Sequence, residues 1–443
     1  MMKESTKTIA IAIVSLGCNK NLVDSEVMAG YLKEGGMKIV ADPAQADVII
    51  VNTCGFIEDA KVEAVDTIME MASYKAKKCK ALLVSGCLTQ RYPEAIAGMP
   101  EVDGVLGTYA YENVAEAVKK ALAKQHPLDV SGTPAYLDKP VDRQISTKYY
   151  AYLKIAEGCD NKCAYCAIPG IRGPYVSRSM ESLLAEAKKL KEQGIKEIIL
   201  TAQDTTRYGL DRGKNEFAEL LEKIALMGFD WVRFLYAYPS TLGEDVIRVI
   251  EKYDNICKYV DMPIQHTENG MLSLMNRHYT REDMIAVIER IRASKFDWSL
   301  RTTLMCGFPG ETDKDFRGML DFIERYPFDN LGVFAFSLEE GTEAEKLPHR
   351  CRKSTGEKRC DSVMLRQGEL AHEFNQRRQG KVFKTLVEGF DPEQRLWFGR
   401  TEFLAPEVDG RVYFSGNGIQ EGTFENVLIE EVFGYDFFGR KAE

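Results

Sequence analysis

Three cysteines, Cys159, Cys163 and Cys166, stand in the spacing Cys-x3-Cys-x2-Cys directly after an apolar, strand-like run at 152–156. Three thiolates on one tight loop match three corners of a four-iron, four-sulfur cluster. They leave the fourth iron without a protein ligand, free to bind an exogenous molecule. The competing reading is zinc. A structural zinc wants four closed ligands, and the nearest histidines, His126 and His266, offer no fourth-ligand spacing. A catalytic zinc held by three cysteines and water fits so short a loop poorly. The spacing favours a cluster with an open iron.

A second set is spread along the chain. Cys18, Cys54 and Cys87 each lie a few residues past a different strand-like run, at 8–16, 47–52 and 81–85. The C-terminal ends of parallel strands share one edge, where α/β sheets build their sites, so cysteines distant in sequence converge there. Free cysteine is also a common core residue, and chance placement is the competing account. Cys79 breaks the pattern because it precedes its strand, and Cys257, Cys306, Cys351 and Cys360 lack cluster spacing. These five read as structural or incidental. Eleven cysteines is an odd number, in a chain of 443 residues too large to need disulfide staples. In a reducing compartment such cysteines mean metal binding or redox chemistry.

The elements that must position these groups fall into three regions. Residues 1–123 alternate strands (8–16, 47–52, 81–85, 102–106) with helices (22–33, 57–74, 113–123), the pattern of a parallel α/β sheet covered on both faces. Residues 124–147 lack periodicity and include Pro127, Gly132, Pro134 and Pro140, which reads as a linker or wrapping loop. Residues 148–375 alternate again, with strands at 152–156, 197–202, 231–235, 259–263, 299–306 and 330–336 and helices such as 182–193, 216–226 and 281–293. Six such units fit an incomplete (β/α)6 barrel better than a flat doubly wound sheet. Residues 376–443 carry short strands at 382–389, 396–401, 411–414 and 423–433 between Gly, Pro and Asp turns, a small antiparallel β-barrel. The whole is an α/β multidomain chain.

Composition narrows the setting. No apolar run approaches the ~18 residues of a membrane helix. The apolar stretch 9–16 follows Lys3 and Lys7, but it is short for a secretion signal and no small-residue cleavage pattern follows. It reads as a buried first strand, and the expected location is cytoplasmic. The chain has 58 Lys+Arg against 67 Asp+Glu, a net of −9. That argues against gripping a nucleic-acid backbone by bulk charge, although a local basic face remains open.

The loop Gly158-Cys159-Asp160-Asn161-Lys162-Cys163-Ala164-Tyr165-Cys166, at the end of a first barrel strand, resembles the radical S-adenosylmethionine (SAM) enzymes. Joined to Cys18, Cys54 and Cys87 in a preceding α/β domain and to a small β-barrel after it, the pattern is similar to the methylthiotransferase branch of that superfamily over almost the whole chain. Weaker likenesses are Ile171-Arg172-Gly173 with Ser177-Arg178, Asp261 to His266, Met275-Asn276-Arg277 and Gly307 to Thr312. The resemblance implies a TRAM domain at the C-terminus and two 4Fe–4S clusters. Cys159, Cys163 and Cys166 would bind the one that cleaves SAM, and Cys18, Cys54 and Cys87 a second that handles sulfur. One SAM would donate methyl and another a 5′-deoxyadenosyl radical, with an electron donor such as flavodoxin or ferredoxin. Cofactor contacts are expected from Tyr165 near cluster and adenine, from Gln203 and Gln265 by hydrogen bonding, and from Gly307 by close backbone approach. Each has a bland alternative in packing or loop stabilisation. His266 is at least as well explained as a satisfied structural histidine as by a role as base. No catalytic residue beyond the cluster ligands is assigned.

The branch divides by acceptor: an aspartate β-carbon on a small-subunit ribosomal protein (the twelfth; RimO type), or an adenosine of transfer RNA, giving a 2-methylthio product. Residues 380–443 hold 7 Lys+Arg against 12 Asp+Glu, a net of −5, which suits a basic protein better than phosphates. The stretches Ala202-Gln203-Asp204-Thr205-Thr206-Arg207-Tyr208-Gly209, Asn276-Arg277 and Ala405-Pro406-Glu407-Val408-Asp409-Gly410 also resemble the ribosomal-protein type. A ribosomal protein is the expected partner, with no membrane and with nucleic acid not the expected substrate. Anaerobic reconstitution should load about eight irons per chain, four for each cluster. Zinc without iron or sulfide in elemental analysis would contradict this reading.

Overall fold

Alternating apolar residues build the N-terminal sheet. The computed structural model describes residues 8–134, 138–139 and 141–442; Lys3, Lys7, Pro140 and Glu443 lie outside the described residues. Strands β1 (Ala10–Ser15), β2 (Lys38–Ile39), β3 (Val48–Thr53), β4 (Ala81–Gly86), β5 (Gly104–Leu106) and β6 (Leu128–Asp129) form one sheet in the order β2-β1-β3-β4-β5-β6. Every pairing is parallel. Ile11, Val48, Ile50 and Leu83 pack on one face with helices Asn19–Glu34 and Val114–Leu122. Ala12, Ile49, Val51, Leu82 and Val84 face the other side, against helix Glu58–Ala72. The register sets Ser15, Asn52 and Ser85 side by side, so the loops bearing Cys18, Cys54 and Cys87 leave one edge. Strands β2 and β6 are absent from the reading by periodicity, and β6 lies in the stretch read as linker. Two residues are too few for alternation to register.

The central region holds β7 (Tyr150–Lys154), β8 (Ala156–Glu157), β9 (Val176–Ser177), β10 (Glu197–Thr201), β11 (Trp231–Phe234), β12 (Tyr259–Asp261), β13 (Ser299–Cys306) and β14 (Asn330–Ala335). Two parallel triplets, β7-β10-β11 and β12-β13-β14, are joined where Ala237 N–H donates to Asp261 O at 2.8 Å and Cys257 N–H to Val232 O at 2.9 Å. Ile198, Leu200, Val232, Phe234, Val260 and Leu304 bury toward the helices. The alternate positions, including Lys154, Glu197, Thr201, Arg233, Tyr259, Asp261 and Arg301, form a polar inner face. The short β8–β9 ribbon ties the entrance of the Cys159 loop to the segment that follows it.

The C-terminal region closes into a barrel of β15 (Val382–Asp391), β16 (Leu396–Thr401), β17 (Val412–Ser415), β18 (Phe424–Phe433) and β19 (Asp436–Lys441) in the order β15-β16-β17-β19-β18. The small barrel is antiparallel as expected except at one seam, where β17 and β19 run parallel. Neighbouring directions cannot alternate all the way around a ring of five, so one parallel pair is unavoidable. Strand β19 was hidden because only Gly434 and Tyr435 separate it from β18. Among the described residues no helix is long and apolar enough to cross a membrane.

Buried charge docks this barrel on the starts of the central strands. Arg400 reaches Glu197 at 2.8 Å, Arg233 holds the other Glu197 oxygen at 2.6 Å, and Tyr259 donates to Asp409 at 2.8 Å. Burial pushes the Glu197 carboxyl upward, but Arg400 and Arg233 outweigh it and hold it below the usual range. Arg400→Met leaves Glu197 one cation short and should cost about 3 kcal/mol. The expected result is a lower thermal midpoint with faster proteolysis between 376 and 382; an unchanged midpoint would contradict this docking.

Candidate cluster and cofactor site

The three cysteine loops of the N-terminal sheet pack against one another at its C-terminal edge. A Cβ on Gly17, which sits at φ +83°, would lie 2.7 Å from the Cys54 Cβ and 3.2 Å from its Sγ. Asn21 staples the loops: its Nδ2 donates to Leu16 O at 3.1 Å and Thr53 O at 3.0 Å, and its Oδ1 faces the Cys87 Sγ at 3.7 Å. Burial pushes the Cys54 thiol up to about 12, with Cys87 and Cys18 adding to the rise. The three side chains therefore share one neighbourhood.

Arg172, from the helix Ile168–Arg172 that follows the barrel cysteines, enters this neighbourhood from the other side. Its guanidinium touches Cys87 Sγ at 3.3 and 3.4 Å, Asn21 Oδ1 at 2.7 Å, Asp24 at 2.9 Å and Glu157 at 2.7 Å. Lys154 pairs with the same two carboxylates, reaching Glu157 at 2.8 Å. Two cations and two anions thus balance in a fully buried group. Burial would raise the Glu157 carboxyl, but Arg172 and Lys154 dominate and bring it down to about 2. Cys87 shares a buried cluster with Ala167 and Ile171, so the two cysteine sets adjoin across the domain boundary.

The Cys159 loop continues from β8 and is held by Cys159 N–H to Gly173 O at 3.1 Å and Asn161 Nδ2 to Asp204 at 2.8 Å. Burial pushes the Cys159 thiol up to about 12 and raises Cys166 as well. Arg277 donates to Cys163 Sγ at 3.3 Å and to the Tyr165 hydroxyl at 3.2 Å. Tyr165 packs beside Phe308, with ring centroids 6.4 Å apart. Gln203 donates to Glu157 at 2.7 Å, while its Oε1 and that of Gln265 are buried without a hydrogen-bond partner. Gln265 adopts φ +66°, pinned by a β-bridge to Leu304. The close approach that Gly307 permits is to Gly356, 2.9 Å from an added Cβ, and its N–H donates to Glu311 at 2.6 Å. His266 Nδ1 accepts from the backbone of Thr267 and Glu268 at 2.9 and 3.1 Å, and burial lowers the ring to about 4. Its Nε2 is buried without a hydrogen-bond partner.

Among the described residues, no group of His, Cys, Asp or Glu closes around a single metal ion. Each cysteine set has a cation beside one sulfur, Arg172 at Cys87 and Arg277 at Cys163. Sequence reading missed Asn21, Asp24, Lys154 and Glu157. Only Arg172 and Arg277 carried a signal, within the quoted stretches near the cysteines. The N-terminal domain also clamps the barrel mouth, where Arg91 and Lys61 meet buried Glu339 at 2.8 and 3.1 Å.

Comparison with known proteins agrees in all three regions. A family model described as the uncharacterized protein family UPF0004 matches residues 10–107, one for the radical SAM superfamily matches 153–323, and one for the TRAM domain matches 380–441. The ribosomal protein uS12 methylthiotransferase RimO of Clostridioides difficile is 45% identical over 437 residues, covering 97% of this chain and 98% of that protein. The RimO of Pelotomaculum thermopropionicum is 46% identical, covering 97% and 99%. Among solved structures, the radical SAM methyltransferase TsrM from Kitasatospora setae aligns with TM-score 0.55 and 14% identity over 74% of this chain and 73% of that one. At that identity the likeness carries the fold alone. Arg172→Met strands two buried carboxylates on Lys154 and should destabilise the chain by about 3 kcal/mol. Arg172→Lys should fall between it and wild type, since an ammonium lacks the fork to reach all four partners. Equal thermal midpoints for the three proteins would refute this role.

Proposed function

The chain belongs to the RimO family of radical SAM methylthiotransferases, and from that premise we propose that it adds a methylthio group to the β-carbon of an aspartate in the small-subunit ribosomal protein uS12. The observation that supports this best is the contact of Cys87 with Ala167, the neighbour of Cys166. Inserting sulfur into a C–H bond needs a sulfur site and a radical site side by side. Cys159, Cys163 and Cys166 would hold the SAM-binding 4Fe–4S cluster, and Cys18, Cys54 and Cys87 a second. When bound, these groups with SAM supply a 5′-deoxyadenosyl radical from one SAM, a methyl group from another, and the sulfur.

The chain's own residues position and enclose. Gln203 and Gln265, each with a buried unpaired carbonyl oxygen, meet polar groups of SAM. Tyr165 packs toward cluster and adenine, and Gly307 shapes the wall behind it through Glu311 and Gly356. Arg277 and Arg172 keep positive charge against sulfur on the two sides. The Glu339 clamp keeps the N-terminal domain over the mouth and limits water at the site. The acidic region 376–443 suits a basic ribosomal protein, in the cytoplasm, with flavodoxin or ferredoxin as electron source.

Mass spectrometry of uS12 and of bulk tRNA from cells with and without the gene tests the acceptor. A methylthio increment on uS12 that vanishes with the gene is expected; loss of a hypermodified adenosine instead would select the RNA reading. Cys159→Ala should abolish 5′-deoxyadenosine formation. Cys54→Ala should keep SAM cleavage and lose methylthio transfer, and a variant losing both would contradict separate roles.

A further inference from the structure

Lys20 stands two residues after Cys18, in the first turn of helix Asn19–Glu34, and is only 8% exposed. Its ammonium lies 3.5 Å from the centroid of the Tyr236 ring. Among the described residues no carboxylate forms an ion pair with it, and its electrostatic neighbours are Tyr236, Cys18 and Arg172. Arg172 is itself neutralised by Asp24 and Glu157. Of the other buried cations, Lys154, Arg233 and Arg378 face acids, while Lys258 donates to the Tyr253 and Ile256 carbonyls at 2.9 Å each; among the described residues Lys20 has neither kind of partner. Its partners are the ring and hydroxyl of Tyr236 and the Cys18 sulfur, none of them an acid, which leaves donor capacity on the ammonium for a carboxylate.

The surroundings are built and held. Asn19 Nδ2 donates to the Tyr236 hydroxyl at 3.5 Å, and Thr201 Oγ1 donates to Asn19 Oδ1 at 3.1 Å, which sets Lys20 over the C-terminal ends of β10 and β11. Tyr236 takes φ +61°, unusual for a bulky residue, and is fixed by its N–H to Asp261 at 3.1 Å and its carbonyl to Thr205 N–H at 3.1 Å. This ammonium, with no acidic partner among the described residues, thus sits where the barrel mouth meets the Cys18 loop.

We infer that Lys20 binds the side-chain carboxylate of the substrate residue and so selects an acidic side chain as the acceptor. This rests on the ribosomal-protein reading above. A carboxylate held there puts its neighbouring methylene at the junction of the two cysteine sets. Asparagine, equal in shape, offers no charge to meet the ammonium, and a purine offers no carboxylate at all. SAM also carries a carboxylate, so the test separates the two sources.

The experiment uses full-length reconstituted enzyme, wild type, Lys20→Met and Lys20→Arg, with iron content as the check on folding. The probes are a fluorescent peptide spanning the target loop of uS12 and its Asp-to-Asn counterpart, with dissociation constants from anisotropy and SAM cleavage from methionine release. Wild type should bind the Asp peptide about ten- to a hundredfold more tightly than the Asn peptide, the range expected of a charge-assisted contact. Lys20→Met should bring that ratio near one with iron and SAM cleavage unchanged, and Lys20→Arg should keep most of it. A Lys20→Met enzyme that still prefers Asp, or that loses SAM cleavage with the ratio intact, overturns the inference alone. Wild type that binds neither peptide overturns the substrate reading and this inference together.

Discussion

A buried quartet of charges, Asp24, Lys154, Glu157 and Arg172, holds the two halves of the site together. Asp24 belongs to the N-terminal domain and the other three to the central one, so neither domain can bury its share without the other. Alone, each ion would carry a desolvation cost of several kcal/mol; closed into a ring with matched hydrogen bonds, that cost is offset. Directional contacts of this kind fix the relative orientation of two domains where apolar packing would allow sliding. Arg172 extends the network to Cys87, and Gln203 extends it from Glu157 to the loop after β10.

Around that junction the architecture is a consequence of strand direction. Parallel pairing in register puts Cys18, Cys54 and Cys87 on one edge, and parallel β/α order puts the Cys159 loop at the corresponding end of the second sheet. The two edges meet where Cys87 packs against Ala167 and Ile171. The small barrel is tied to the opposite ends of the central strands through Glu197 and Arg400.

Much of this was legible in the residues. The Cys-x3-Cys-x2-Cys spacing is local, and long alternating or helical runs report their own periodicity, so the three regions and the cysteine loop could be read directly. Asn21, Asp24 and Glu157 could not, because a polar residue in a helix or at a strand end reads as solvated until its partner arrives from another domain. Lys20 was silent for the same reason: burial by Tyr236, far off in sequence, is what makes it unusual. Gly307 was legible as a residue needing space, but the space faces Gly356 of a helix that sequence reading did not bring near it. The parallel β17–β19 pair follows from closing five strands, a constraint visible only once the fifth is counted.

The central claim is the proposal that the two cysteine sets hold two adjoining clusters. Electron paramagnetic resonance of the reduced, fully loaded chain measures this directly, taken against chains loaded at one site only through Cys54→Ala or Cys159→Ala. Adjoining clusters should interact magnetically, giving a broadened, fast-relaxing spectrum that differs from the sum of the two single-site spectra. A spectrum equal to that simple sum, with both sites fully reduced, would contradict the account.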